Sequence, residues 1–393
     1  MRTWRRNDTS AVSVTLFLTL FAGQSGMIAL SPVLTQVAND LDVSASTVGQ
    51  LRTISGLAAG STALALARAA RRLGLRSLLL AGTGLVAGGS VASSVAPSLE
   101  WLALAQVAIG VGVAVLLSSA TTAAAEWASD EHRARVLSWA LIGQPAAWIV
   151  GMPLIGALGE LSWRYGLLAM PLLGSTLAAF ALAGRPRTPP VDRKVGLRAA
   201  LSQAPVARWA VAELLASAGW TGTLVYSGAL FAQSYNTSPL VTGLVLAGVA
   251  GAFVAGNVAF RSLVGADDRR LIIRLSLALA VLLPVFGAVR PGLAVSAALM
   301  AAAAFLAAGR MLVGNAFGLK TAPDQRLAVM SARAAANQFG YFLGAAGAGA
   351  ALAAAGYAGL GLALGGFFAV AVLPLVAPPP RHRHVRVLSP GSP

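Results

Sequence analysis

Gly184-Arg185-Pro186-Arg187-Thr188-Pro189-Pro190-Val191-Asp192-Arg193-Lys194 opens the longest polar interruption in an otherwise apolar chain. The interruption runs on to Arg208 and holds six Arg or Lys residues against one acid, Asp192. Pro186, Pro189 and Pro190 forbid a continuous helix through its first part. It lies at the middle of 393 residues, with about six long apolar runs on each side. The pattern predicts a cytoplasmic linker, residues 184–208, between two membrane-embedded halves.

Composition sets the class. The chain is 57% hydrophobic and 11% charged, against roughly 25% charged in soluble domains, and its mean hydropathy is +0.74. A soluble protein of this length could not hide so much apolar surface. Abundant Gly and Ala suit transmembrane helices that pack backbone to backbone. Cysteine is absent and only three His are present, two of them, His382 and His384, near the C-terminus. Disulfides, thiolate metal sites and His-rich metal sites are therefore excluded, and no cofactor is expected. The net charge of +16 does not point to nucleic acid, because the basic residues sit in short blocks between apolar runs. That is the positive-inside arrangement of a membrane protein.

A spanning helix needs about 20 mostly apolar residues. The predicted spans are 11–34, 47–67, 75–96, 99–124, 136–158, 161–183, 209–232, 240–263, 271–289, 291–316, 327–354 and 356–377. The expected fold is an all-α polytopic membrane protein with twelve transmembrane helices in two pseudo-symmetric six-helix bundles, residues 1–183 and 209–378, with a tail from 379 to 393. With a cytoplasmic N-terminus, all but four of the 29 Lys and Arg residues fall on the cytoplasmic side. The four are Arg52, Arg164, Arg290 and Arg310. Outer loops carry Asp40, Asp42, Glu100 and Glu160 instead. An even helix count puts both termini in the cytoplasm of a cell bounded by an inner or plasma membrane. Met1 to Asn7, with Arg2, Arg5 and Arg6, reads as the cytoplasmic start of the first span rather than as a signal peptide. Each half has a basic loop after its second span, Arg68 to Arg76 and Arg261 to Arg270, which is the layout of a duplicated transporter.

Ionisable groups inside spans are costly and are functional candidates. Glu213, about one turn into the seventh span, is the leading candidate for a coupling acid; its bland alternative is an interfacial carboxylate paired with Arg208. Arg310 lies well inside the tenth span, either facing a cavity or paired. Arg52 either gates or binds an anionic substrate, or snorkels to the headgroups. Amides populate the spans: Gln24, Gln106, Gln144, Gln233, Asn257, Asn315, Asn337 and Gln338. Trp220 and Tyr226 could stack on an apolar or ring-bearing substrate or could simply fill the core. Trp101, Trp163 and Trp209 are expected in the interfacial belts. Gly56 with Gly60, and Ala247 with Gly251 and Ala255, make small-residue faces suited to close helix contact. No phosphate-binding Gly-rich run and no nucleophile–base set is visible, so an enzyme or an ATP-driven pump on this chain is not expected.

Several passages carry a family likeness. They are Ser31-Pro32-Val33-Leu34, Leu41-Asp42-Val43-Ser44 and Thr47-Val48-Gly49-Gln50; Gly151-Met152-Pro153-Leu154-Ile155-Gly156 with Trp163-Arg164; and Asn337-Gln338-Phe339-Gly340 with Gly344. In this order the chain resembles the major facilitator superfamily over nearly its full length, and most closely its twelve-helix drug:proton antiporter branch, including sugar-efflux-like members. The resemblance implies a cavity lined by spans one, four, seven and ten, and so a substrate site drawn from Gln24, Gln106, Trp220, Tyr226, Gln233 and Arg310. It implies a cytoplasmic latch involving Arg71, Arg76, Glu126 and Arg133. Gly151, Pro153 and Gly156 stand where the branch has the motif that bends the fifth span and seals the resting cavity. Two departures stand out. Ala67 and Arg71 occupy the places of the family's Gly and Asp in the loop after span two. Gln106, four residues before Gly110, replaces an Arg tied to proton coupling.

The combined expectation is a monomeric secondary transporter in the lipid bilayer that exports a small organic molecule by alternating access, with protons as the counter-substrate. The alternatives are an uncoupled facilitator or importer, favoured by Gln106, and a transporter-like sensor without flux.

Overall fold

The computed structural model describes residues 6–69, 73–129, 131–185, 201–265, 267–323 and 326–376. Most of the linker, the tail from 377 onward and Arg71 lie outside the described residues. The helices are α1 (Arg6–Ile28), α2 (Leu30–Asp40), α3 (Ala45–Gly49), α4 (Leu51–Ala69), α5 (Leu75–Ser94), α6 (Leu99–Trp127), α7 (Arg133–Ala146), α8 (Met152–Leu161), α9 (Trp163–Ala183), α10 (Ala204–Tyr235), α11 (Pro239–Ala259), α12 (Asp268–Ala288), α13 (Leu293–Thr321) and α14 (Arg326–Val376). Among the described residues nine helical stretches are long and apolar enough to cross a membrane. One of them, Ala332–Val376, contains two passes, because Ala355 and Gly356 leave the helical conformation there and Gly356 takes φ +60°. Adding the more polar α4 and α10 makes twelve spans.

Three spans are interrupted. The first divides into α1 and α2 around Ala29, and the second into α3 and α4 around Gln50. In the fifth, a π-helical turn over Ala147–Gly151 joins α7 to α8. Pro153 has no N–H to give to the carbonyl four residues earlier, and Pro145 sits one turn before the π turn. A π turn re-registers the ladder where such donors are missing, so the irregularity of this span falls just ahead of Pro153. The seventh span starts at Ala204, five residues before its predicted start, because Pro205 near the helix start needs no donor partner.

Serine caps start the second, fourth, sixth and eighth spans on the face away from the termini. Ser44, Ser98, Ser162 and Ser238 each accept a backbone N–H in the first turn of α3, α6, α9 and α11. The two bundles also share a device at the opposite face. In the first, Arg76 Nε donates to the Leu182 carbonyl at 2.9 Å, tying the start of α5 to the end of α9. In the second, Arg269 Nε donates to the Leu375 carbonyl at 2.7 Å, tying the start of α12 to the end of α14. Each arginine satisfies orphan carbonyls and places positive charge at a helix C-terminus.

The bundles meet on the face away from the termini. There α2, α3, α4 and α8 pack against α10, α11 and α14. The approach is backbone to backbone. A Cβ at Gly228 would collide with the Ser31 carbonyl, one at Gly243 with the Met152 carbonyl and one at Gly156 with the Pro239 carbonyl. Gly56 and Gly60 of α4 accept Tyr341 and Phe339 of α14 in the same way. The second predicted small-residue face behaves differently. A Cβ at Gly251 would meet nothing within 4 Å, and both Gly251 and Ala255 are exposed; α11 packs instead through Gly243 and Gly256. Large apolar side chains such as Leu104, Phe180, Val281 and Leu362 stay exposed on the outside of the spans, where lipid takes the place of protein.

Candidate functional site between and within the bundles

A small cavity of about 30 Å³ lies between α1, α6 and α7 of the first bundle and α14 of the second. Its polar lining is Gln24, Gln144, Asn337, Gln338 and Tyr341. Tyr341 is set against Gln24, and the Gln338 side-chain carbonyl is buried without a hydrogen-bond partner among the described residues. Apolar walls come from Leu20, Met27 and Leu116. Convergent amides in a part-apolar cavity are the kind of polar groups that orient a ligand in a small-molecule site. Met27 is the lining residue of α1 farthest from the termini.

Arg52 lies just beyond Met27. Its Nη1 contacts the Met27 sulfur at 3.9 Å and donates to Gln106 Oε1 at 3.3 Å. Only 2% of Arg52 is exposed, so it does not snorkel. Gln106 Nε2 in turn reaches Ser93 Oγ at 3.5 Å.

The second bundle holds its own buried arginine. Arg310 on α13 donates from Nη1 to Glu213 Oε1 on α10, from Nη2 to the Ala212 carbonyl at 3.0 Å and from Nε to Ser276 Oγ at 3.5 Å. Arg310 is 1% exposed and Glu213 4%. Glu213 is therefore inside the bundle and paired with Arg310, not an interfacial partner of Arg208. A Cβ at Gly314 would collide with the Glu213 carboxylate, so the glycine makes room for the acid. Arg333 of α14 is near enough to interact electrostatically with both.

The remaining predicted site residues separate. Trp220 stacks on Phe253 with ring centroids 5.7 Å apart, inside the core. Tyr226 is fully buried in the seam between the bundles, against Gly49 and Gly349, with its hydroxyl donating to the Ala345 carbonyl at 2.9 Å. Gln233 accepts from the Tyr357 hydroxyl at 2.6 Å. Of the latch candidates, Arg76 caps α9, and Arg133 Nε donates to the Ala125 carbonyl at 3.0 Å, holding α7 to the end of α6 near Glu126. Gly151 and Pro153 frame the π turn, and Gly156 is a crossing point with α11. Two of the expected belt tryptophans are structural: Trp209 is buried and donates to the Gly314 carbonyl at 2.8 Å, and Trp163 is buried and donates to Asp40 Oδ2 at 3.0 Å. Trp101 stays exposed. Sequence reasoning missed Tyr341, Met27 and Ser90, whose only sequence signal was their nearness to residues already singled out.

An acid-and-base pair does join two elements of the second bundle. Asp268 is buried, accepts the Gly265 N–H at 2.8 Å and pairs with Lys320 of α13 at 2.6 Å. No group of three or more His, Asp or Glu that could hold a metal occurs among the described residues.

The family model of the Major Facilitator Superfamily matches residues 16–212, half of the chain. The chain belongs to the major facilitator superfamily. Such proteins are transporters rather than enzymes. An uncharacterised MFS-type transporter, YbcL of Bacillus subtilis (strain 168), is 27% identical over 169 residues, which is 43% of either chain; the superfamily member described here thus matches less than half of that relative's length. Solved structures share the fold across almost the whole chain. A bacterial homolog of the human lysosomal transporter Spinster, in an inward-facing and occupied conformation, aligns with TM-score 0.73 at 14% identity over 95% of this chain and 96% of its own. The nucleoside transporter NupG aligns with TM-score 0.73 at 14% identity, over 94% and 98%. A D-xylose-proton symporter aligns with TM-score 0.73 at 16% identity, over 94% and 98%.

Proposed function

We propose that this member of the superfamily exports a small organic solute by alternating access, in exchange for protons, across an inner or plasma membrane. The observation that carries the reading is the amide-lined cavity that stops at a backbone-to-backbone seam between the bundles. With both termini cytoplasmic, as the basic blocks favour, the seam is the closed outer gate and the cavity is the inner one, ready to load from the cytoplasm. Glycine crossings at 156, 228 and 243 suit such a seam, since bare backbones can part and re-form without repacking side chains. The Glu213–Arg310 pair is the coupling element. A proton on Glu213 removes the charge that holds Arg310, and α10 and α13 are then free to shift against each other.

A second reading has one observation behind it. Gln106 holds Arg52 and carries no charge of its own, so among the described residues Arg52 has no carboxylate partner to titrate as Arg310 has. That favours an uncoupled or importing transporter, and the similar folds include a proton symporter.

The test is flux in proteoliposomes, with solutes chosen by their protection of the purified protein against heat. Uphill movement should follow an imposed pH gradient in the parent protein. Glu213→Gln should keep solute binding and lose the uphill component. If Glu213→Gln pumps as well as the parent, Glu213 is structural and the uncoupled reading stands. If no protective solute moves at all, the protein is a sensor.

A further inference from the structure

The first bundle contains a charge with no counterpart. Arg52 is 2% exposed, and its polar contacts among the described residues are one amide oxygen and one thioether. Its Nη2 has no hydrogen-bond partner there, and the Tyr341 hydroxyl is near enough to interact with it electrostatically. Beside it Ser90 Oγ is also buried and unpartnered. Both groups face one narrow gap within the first bundle, together with Ser93 and Gln106; it is closed to water in this conformation and has to widen to admit a ligand. Taking a guanidinium out of water costs several kcal/mol unless a partner anion is supplied. Here the described residues supply none.

We propose that the missing partner is the substrate, and that the transported solute is a small organic anion whose negatively charged headgroup sits between Arg52, Ser90, Ser93 and Gln106. This deepens the transport reading given above and rests on it. Nη2 and Ser90 Oγ are the open donors, and a carboxylate or sulfonate can take a hydrogen bond from each. Gln106 fixes the guanidinium from behind. The route is also given. Met27 stands between this space and the amide-lined cavity, touching Arg52 on one side and lining the cavity on the other. An unbranched thioether side chain can turn aside at low cost. The cavity among Gln24, Gln144 and Asn337 then widens to take the body of the solute, and the headgroup passes Met27 to reach the arginine.

The arrangement makes an unusual demand on stability. A structural arginine lowers the melting temperature when it is removed. An arginine waiting for a ligand should raise it, because its removal ends an uncompensated burial. The experiment is thermal unfolding of the purified full chain in detergent with acetate and benzoate, each beside its neutral amide, acetamide or benzamide. At least one of the two carboxylates should raise the melting temperature by a few degrees while its amide does not. Arg52→Lys should keep a weaker version of that difference. Arg52→Gln should abolish it and, without any ligand, should melt above the parent. The proposal is overturned if neither carboxylate exceeds its amide, if Arg52→Gln keeps the difference, or if Arg52→Gln melts below the parent or fails to fold. Protection by sodium chloride without protection by either carboxylate also overturns it. Flux of a neutral solute by the parent would leave the transport reading intact while removing this one.

Discussion

Arg310 and Arg52 are both buried to within 2% of full exclusion, one in each bundle, and their surroundings could hardly differ more. Arg310 has a carboxylate, a backbone carbonyl and a hydroxyl around its guanidinium. Arg52 has an amide, a sulfur and an idle nitrogen. The same side chain at the same exposure is thus internally neutralised in one bundle and left charged in the other. Burial alone does not say what an intramembrane arginine is for; its partners do. A duplicated fold lets the two cases sit side by side on equivalent architecture, with Arg76 and Arg269 making matching ties in the two bundles.

The largest expected effect comes from breaking the neutral site. Glu213→Ala leaves Arg310 buried and unpaired, and should cost about 3–5 kcal/mol of stability, since removing one partner of a buried pair leaves a bare charge. The double change Glu213→Leu with Arg310→Met should recover most of that loss while remaining uncoupled in flux. Chemical or thermal unfolding in detergent reads both. A single variant no less stable than the parent would mean that water or backbone carbonyls already solvate the Arg310 charge.

A change of intermediate size makes the first bundle imitate the second. Gln106→Glu would put a carboxylate at the atom that Arg52 already contacts. It should stabilise the ligand-free protein by on the order of 1–3 kcal/mol, the range for hydrogen bonds to charged groups, and should weaken any protection by carboxylates. Loss of stability on this substitution would show that the space around Arg52 is not short of negative charge.

The smallest effect tests the common frame. Arg76→Ala and Arg269→Ala should each cost roughly 0.3–1 kcal/mol, the usual value of a cation at a helix C-terminus, and the two losses should be equal within error. A marked inequality in unfolding experiments would mean that the bundles do not share the same architectural ties.

Much was readable from the residues alone. Twelve spans, two bundles and the special residues of the fifth span follow from the length of apolar runs and from where prolines and arginines fall, because a bilayer imposes one length and one backbone solution on every crossing segment. The faces of the spans were not readable. Eight amides were visible as a set, yet Gln24, Gln144, Asn337 and Gln338 share a cavity, while Gln106 serves Arg52, Gln233 serves Tyr357 and Asn257 turns back on the Phe253 carbonyl of its own helix. In water, a helix declares its inner face by hydrophobic periodicity. In lipid both faces are apolar, so that signal is erased. The tryptophans at 163 and 209 were misjudged for the same reason, since an indole at a membrane boundary and one buried beside a helix end have the same sequence surroundings.

The sequence by itself determined the class, the number of crossings, the uneven spread of basic charge between them and the presence of arginines within the spans. The pairings were decided only by the tertiary structure. Glu213 and Arg310 are 97 residues apart along the chain and meet through the packing of α10 on α13. Nothing local to either residue records that contact. Arg52 lies in a span no richer in charge, and its isolation is the property of five helices at once. Hydrophobic length is a one-dimensional quantity and can be counted along a chain, whereas the neutralisation of a buried charge depends on which atoms of distant segments come within about 3 Å of it.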